Sequence, residues 1–215
     1  MFDQVENLWV LANALGEHAR IPLVGLALPA LRQMSAADYD RFQRNVQSLI
    51  TADQQVDLFE FALQKMLRRH LDPRFKSVPQ REVTCHSLQG IRYDTAIVLS
   101  ALAHVGGDTV DRAQAAFQVG VRQLNTPTLE FKFMSESDCT LNTIEIALDH
   151  LCEATPELKK RVLGACVQTV AADGFVRPRE AELLRAIGDA LDCPIPPFVT
   201  EAGGPSPARA EAIAA

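Results

Sequence analysis

The chain has 215 residues and a net charge of −6, and hydrophobic and charged residues make up 47% and 22% of it. This composition is typical of a folded globular protein and excludes a disordered chain. The negative charge offers no attraction to a phosphate backbone, so we expect no nucleic-acid partner. No segment approaches the roughly 20 apolar residues that a membrane span needs, so we expect no direct membrane span in this chain.

The pattern of apolar residues predicts an all-α fold, a bundle of about 8–9 helices. Aromatic residues are only 6% of the chain, which favours helices over strands. Apolar residues recur at helical spacing between Gly, Pro and polar capping residues. The predicted helices cover residues 5–15, 23–33, 35–51, 57–70, 93–104, 109–124, 140–152, 156–172 and 178–191.

We expect residues 1–197 to form a single helical domain. Residues 72–90, which include Pro73 and Pro79, show no clear period and are predicted to form a long loop. The stretch 198–215 is rich in Gly, Pro and Ala and is predicted to be a disordered tail.

An internal duplication is the most informative feature of the sequence. When the sequence is shifted by 120 residues, 27–72 aligns with 147–192 without a gap, and 11 of the 46 pairs are identical. Ser35 aligns with Thr155, and both residue types are favoured at the start of a helix. We expect two helical hairpin units related by an approximate twofold axis, with the intervening helices of 92–124 completing the bundle.

Both repeats carry an acidic residue pair at the turn between two helices. Asp53 and Glu60 stand seven residues apart in the first repeat, and Asp173 and Glu180 have the same spacing in the second. Carboxylate oxygens are the ligands that divalent cations prefer, so these four residues are candidate metal ligands. The alternative is a structural role, because Glu60 and Glu180 fall at the third position of a helix, where a carboxylate caps a free N–H. The sparse acidic pattern favours the structural role.

The cysteines and histidines do not form a recognisable catalytic or zinc motif. An odd number of cysteines at unpatterned spacings indicates reduced thiols in a cytoplasmic setting. The motif His-Glu-x-x-His does not occur, so the chain is predicted not to be an enzyme. One alternative is a nucleophile pair of Cys85 with the adjacent His86, although neighbouring side chains usually diverge. The five cysteines are Cys85, Cys139, Cys152, Cys166 and Cys193.

The acidic turn carries a family resemblance. The pattern Ala-Asp-Gly-x-Val-x-x-x-Glu of residues 172–180, followed by 183–187 and closed by 192–197, resembles the TerB-like (tellurite-resistance) helical domain. Residues 20–197 as a whole are similar to the C-terminal region of bacterial membrane-associated M48-family zinc metallopeptidases. There a stretch like 26–32 precedes the first acidic turn, and one like 58–63 follows it. The first turn departs from the pattern because Gln54 replaces the glycine.

The resemblance implies a non-catalytic accessory or protein-interaction domain of an M48-type membrane metallopeptidase. Its partner would be another protein or the peptidase domain of the parent chain. Its location would be cytoplasmic, at the inner membrane through that parent. No cofactor is expected under this hypothesis. The alternative is a free-standing TerB-like protein that either binds a divalent cation, through Asp53, Glu60, Asp173 and Glu180, or acts in a stress response.

Overall fold

A computed structural model describes residues 2–16, 19–52, 58–77 and 82–195 of the chain. Within these ranges the backbone forms nine α-helices and no β-sheet, which confirms the predicted all-α fold. None of the helices in these ranges is both long and apolar enough to cross a lipid bilayer. The helices are α1 Phe2–Ala14, α2 Arg20–Leu31, α3 Ala36–Ala52, α4 Leu58–Phe75, α5 Arg92–Gly106, α6 Val110–Gln123, α7 Leu141–Cys152, α8 Pro156–Val170 and α9 Pro178–Ala190.

Helix α5 lies at the centre of the main core. All ten residues from 94 to 103 are buried, and the helix contacts α6, α7, α8 and α9. A helix that is apolar on every side belongs in the interior, because no face of it gains from contact with water. Its buried hydroxyl groups are satisfied: Thr95 Oγ1 donates to the Ile91 carbonyl at 2.8 Å, and Ser100 Oγ accepts the Met134 N–H at 3.0 Å.

Helices α6 and α8 approach each other closely because Gly120 has no side chain. A Cβ added at Gly120 would lie 2.0 Å from Thr169 Oγ1 and 2.9 Å from the Ala165 carbonyl oxygen. Thr169 Oγ1 in turn donates to that carbonyl at 3.0 Å. Any larger residue at position 120 would therefore force the two backbones apart.

Helices α2, α3 and α4 enclose a second, smaller core. It is built on the buried side chains of Leu28, Tyr39 and Leu71. The Tyr39 ring stacks on Phe75 with the ring centroids 4.3 Å apart, and the Tyr39 hydroxyl donates to Asp72 Oδ1 at 2.7 Å. Burial, together with this hydrogen bond and the charge of Asp72, raises the pKa of the Tyr39 hydroxyl well above its ordinary value.

The helix boundaries agree with the sequence predictions to within a few residues, with one larger difference. The sequence predicts that α4 ends at His70, but the helix continues through Pro73 to Phe75. The extra turn places Asp72 and Phe75 against Tyr39, and this packing outweighs the unfavourable proline near the helix end. The predicted tail 198–215 lies outside the described residues, as do 78–81 of the predicted loop.

The helices of the two predicted repeats begin at corresponding positions, and several contacts correspond as well. A shift of 120 residues places α2, α3 and α4 on α7, α8 and α9, with starts that differ by at most one residue. Ser35 Oγ accepts the Asp38 N–H, and Thr155 Oγ1 accepts the Leu158 N–H, so each caps its helix. A second pair of contacts also corresponds: Tyr39 donates to Asp72, and Lys159 Nζ donates to Asp192 Oδ2.

The environments of the two segments differ. Helix α8 is covered by α5 and α6, and ten of its residues are buried. Helix α3 contacts mainly α4, and Leu49 is 73% exposed where the aligned Thr169 is 3% exposed. The intervening helices therefore complete the bundle around the second segment and leave the first more open.

We predict that Gly120→Ala lowers the free energy of unfolding by about 1–3 kcal/mol, because the added methyl overpacks the α6–α8 contact. Gly25→Ala is the matched control, since a Cβ at Gly25 on α2 meets nothing within 4 Å. We expect that control to gain about 0.5–1 kcal/mol from the better helix propensity of Ala. Urea unfolding followed by far-ultraviolet circular dichroism measures both, and equal stabilities of the two variants would contradict the close approach.

Candidate functional site

The second acidic turn is described in full, and both of its carboxylates are bonded within the turn. Asp173 Oδ1 accepts the Phe175 N–H at 2.9 Å. Glu180 Oε2 accepts the Arg177 N–H at 2.7 Å, which is the reciprocal half of a capping box at the start of α9. Gly174 has a φ of +83°, the left-handed conformation that a turn after a helix often needs.

Arg177 places a positive charge between the two carboxylates of this turn. Its guanidinium lies 3.0 Å from Glu180 Oε1 and 3.3 Å from Asp173 Oδ2. The carboxylate of Glu180, more than that of Asp173, raises the pKa of Arg177 above its ordinary value. The guanidinium thus stands where a bound cation would have to sit, and it would repel one. This geometry favours the structural role of Asp173 and Glu180.

The first acidic turn is described only in part. Asp53 lies outside the described residues, whereas Glu60 is the third residue of α4 and is half-buried. At the position that aligns with Arg177, the sequence has Asp57, so the first turn carries no corresponding cation of its own. Among the residues that the structure describes, no three His, Cys, Asp or Glu side chains converge as metal ligands. The four-residue metal site therefore stays a prediction.

A cleft of about 460 Å³ lies beside the second turn, between the end of α5, the start of α6 and the α8–α9 connection. Its two arginines are already paired: Arg112 contacts Asp108 at 3.1 Å, and Arg177 contacts Asp173 and Glu180. Because these charges are compensated, the cleft offers no strong attraction to an anionic ligand.

Helix α1 presents an apolar surface to solvent. We define the α1 surface as Leu8, Trp9, Val10, Leu11 and Leu15, whose side chains are between 51% and 66% exposed. The helix makes no extensive contact with any other described helix. Large apolar side chains exposed in this number on one short segment are typical of an interaction site in a folded protein.

Cys85 has a histidine partner, but it comes from another part of the chain than the sequence indicated. Cys85 Sγ lies 3.3 Å from His150 Nε2 on α7, and His150 Nδ1 lies 2.8 Å from Asp94 Oδ2 on α5. The sequence offers the adjacent His86 as one alternative partner of Cys85 and indicates no role for His150 or Asp94. Spacings of 65 and 56 residues carry no periodic signal that would have joined these three.

Comparison with known proteins adds no assignment, since no family model, curated protein or solved structure matches this chain. The resemblance to TerB-like domains and to the M48 peptidase region therefore rests on the motif residues alone.

We predict that Glu180→Ala lowers the free energy of unfolding by about 0.5–2 kcal/mol, because the Arg177 N–H loses its capping partner. Glu180→Gln is the matched control, since its amide oxygen still accepts that hydrogen bond and should retain most of the stability. Thermal unfolding with and without calcium measures both effects. If Glu180 were a metal ligand, calcium would raise the melting temperature of the wild type, and both variants would lose that increment.

Proposed function

We propose that this chain is a non-catalytic accessory domain that binds a protein partner through the α1 surface. The observation behind the proposal is the exposure of five large apolar side chains on α1 and the residue that follows it, a segment that makes no extensive contact with the other helices the structure describes. A helix of 13 residues is marginally stable in water without tertiary contacts, so α1 gains stability from a partner. Burial of this surface would also remove apolar area from water.

A protein surface suits α1 better than a membrane surface. The helix carries Asp3 and Glu6 and no Lys or Arg. Helices that lie on membranes combine an apolar face with a basic face, because lipid headgroups are anionic. The acidic residues of α1 would be repelled there, whereas a protein partner can supply complementary charges.

The partner that we propose is the peptidase portion of an M48-type membrane metallopeptidase, at the cytoplasmic face of the membrane. The support for it is the TerB-like acidic turn and its flanking segments, which resemble the region that follows the peptidase in that family. In such an arrangement α1 is the element closest to the peptidase. The equivalent helix starts and the corresponding Tyr39–Asp72 and Lys159–Asp192 contacts also support our proposal that 27–72 and 147–192 are duplicated units.

The DNA upstream of Met1 gives the first test. We expect a reading frame that encodes His-Glu-x-x-His and membrane spans. If that reading frame encoded neither the zinc motif nor membrane spans, the peptidase would no longer be the proposed partner. The partner of the α1 surface would then be an unrelated protein.

We predict that Leu8→Asp with Leu11→Asp weakens binding to the detergent-purified peptidase portion by about 10-fold or more, because charges replace the apolar anchor. Trp9 is the only tryptophan, so 5-fluorotryptophan incorporated at that position reports its burial on binding. Val110→Asp on α6 is the control, since Val110 is equally exposed at 67% but lies outside the α1 surface.

The same experiment distinguishes other occupants of the α1 surface. An unchanged fluorine signal together with equal affinity of all three proteins would contradict the proposed interface. Sedimentation of the chain alone provides the second readout. A wild-type dimer that Leu8→Asp with Leu11→Asp converts to a monomer would show that the occupant is a second copy.

The metal-binding alternative has its own measurement. We expect calorimetric titration with calcium, magnesium and zinc to give no binding at the acidic turns, because the Arg177 guanidinium already pairs with both carboxylates of the second turn. Stoichiometric binding that Asp53→Ala abolishes would contradict this expectation and favour the divalent-cation protein. In that case Asp53→Ala would also stabilise the metal-free form, since it removes repulsion among the carboxylates.

A further inference from the structure

Three separate segments hold Cys85, His150 and Asp94 in one chain of contacts. Cys85 lies in the segment before α5, where its N–H donates to the Glu153 carbonyl and its own carbonyl accepts the Thr155 N–H, both at 3.1 Å. His150 lies in the last turn of α7, and Asp94 lies in the first turn of α5. The thiol is thus fixed on the α7–α8 connection, directly beside the end of the helix that carries the imidazole.

The hydrogen bonds determine which nitrogen of His150 carries the proton. The Asp94 carboxylate only accepts, so the Nδ1 that lies 2.8 Å from it must be the N–H donor. In the neutral ring Nε2 then presents its lone pair to Cys85 Sγ at 3.3 Å and can take the thiol proton. Asp94 is only 10% exposed at its side chain, so its orientation is fixed, whereas the imidazole is 44% exposed and open to solvent.

This arrangement is a proton relay and not a metal site. The two ring nitrogens lie on opposite edges of the imidazole, and Asp94 and Cys85 each contact a different one. Their ligand atoms consequently cannot converge on one ion. A nucleophile bonded to a base, whose other nitrogen is oriented by a carboxylate, is instead the geometry of an activated thiol.

Two contacts of Cys85 bear on the class of electrophile. Acyl transfer requires N–H donors for the developing oxyanion, and the N–H of Cys85 is already bonded to the Glu153 carbonyl. Thr84 Oγ1 lies 3.6 Å from the thiol and donates to the Glu153 carboxylate at 2.7 Å. This acidic neighbour disfavours an anionic reactant. A small neutral electrophile that needs no oxyanion hole fits both contacts.

We propose that Cys85 is a peroxide-reactive thiol, positioned by His150 and Asp94, that reduces a neutral hydroperoxide and becomes a sulfenic acid. The proton of Cys85 moves from Sγ to His150 Nε2. The thiolate attacks one peroxide oxygen, so an S–O bond forms and the O–O bond breaks. The sulfur loses two electrons to the departing oxygen, which takes the proton from His150 and leaves as water or an alcohol. This site would make the accessory domain responsive to peroxide.

The other four cysteines are expected to react with peroxide more slowly than Cys85. Cys152 and Cys166 are buried, and Cys152 Sγ donates to the Ala190 carbonyl. Burial raises the pKa of Cys166 to about 12 and that of Cys139 to about 11, and it also raises the pKa of Cys193. The raised pKa values favour the protonated form of Cys139, Cys166 and Cys193, and thiols react slowly in that form.

The test is treatment of the full chain with hydrogen peroxide at neutral pH, with dimedone trapping and peptide mass spectrometry. We expect Cys85 to be labelled at least about 10-fold faster than the other cysteines and than free cysteine, and His150→Ala to remove that advantage. Imidazole added to His150→Ala should restore the rate, because the position is open to solvent. A purely structural effect of the substitution would not respond to imidazole.

His70→Ala is the matched control, since His70 contacts Asp189 at 2.8 Å and forms a second Asp–His pair that has no role in the proposed relay. It should leave the Cys85 rate unchanged. A Cys85 rate equal to that of free cysteine, or equal in wild type and His150→Ala, would overturn the proposal. A second assay tests acyl transfer with nitrophenyl acetate. If the wild type released one equivalent of nitrophenolate, Cys85→Ser released none, and Cys85 reacted with peroxide at the ordinary rate, the site would be an acyl-transfer site and not a peroxide-reactive one. None of these outcomes depends on the α1 surface.

Discussion

The burial of residues 94–103 of α5 is the constraint on which the rest of the molecule depends. A helical stretch with no solvent face must be covered on every side, and α6, α7, α8 and α9 supply that cover. Each polar side chain on it then needs a partner, because an unpaired buried polar group is costly. Asp94, the only charged residue of its buried stretch, finds that partner in His150. A hydrogen bond therefore adds to the packing that holds α7 against α5.

Much of the fold can be predicted from short-range features of the sequence. Ser35 and Thr155 cap their helices as their residue types indicate, and apolar periodicity predicts each of the nine helices in the described ranges. The continuation of α4 to Phe75 could not be read locally, because it depends on stacking against Tyr39 from another helix. The contribution of the 127–139 segment to the core could not be predicted from local sequence either. It places buried Phe131 and Met134 in the core, but its apolar residues show no helical periodicity.

The candidate sites were predictable to different degrees. Glu180 acts as a cap at the position that the sequence indicated, because capping is a contact between residues three apart. The partner of Cys85 was missed for the opposite reason, since His150 and Asp94 reach it only through the packing of α5 against α7. The α1 surface has a clear apolar pattern in the sequence, but that pattern is equally typical of a helix that faces a core. Only the packing of the remaining helices shows that α1 is left outside.

Backbone hydrogen bonds hold the segment around Cys85 against the α7–α8 connection, so the position of the thiol depends on whether these two segments are paired. The amide of Cys85 and those of Thr84 and Thr155 are bonded between the two segments. These amides can exchange with solvent hydrogen only when the two segments separate. The same separation carries Sγ away from the imidazole at the end of α7, so amide protection and thiol activation report one equilibrium. Hydrogen exchange of three backbone amides therefore measures how much of the time the relay is assembled.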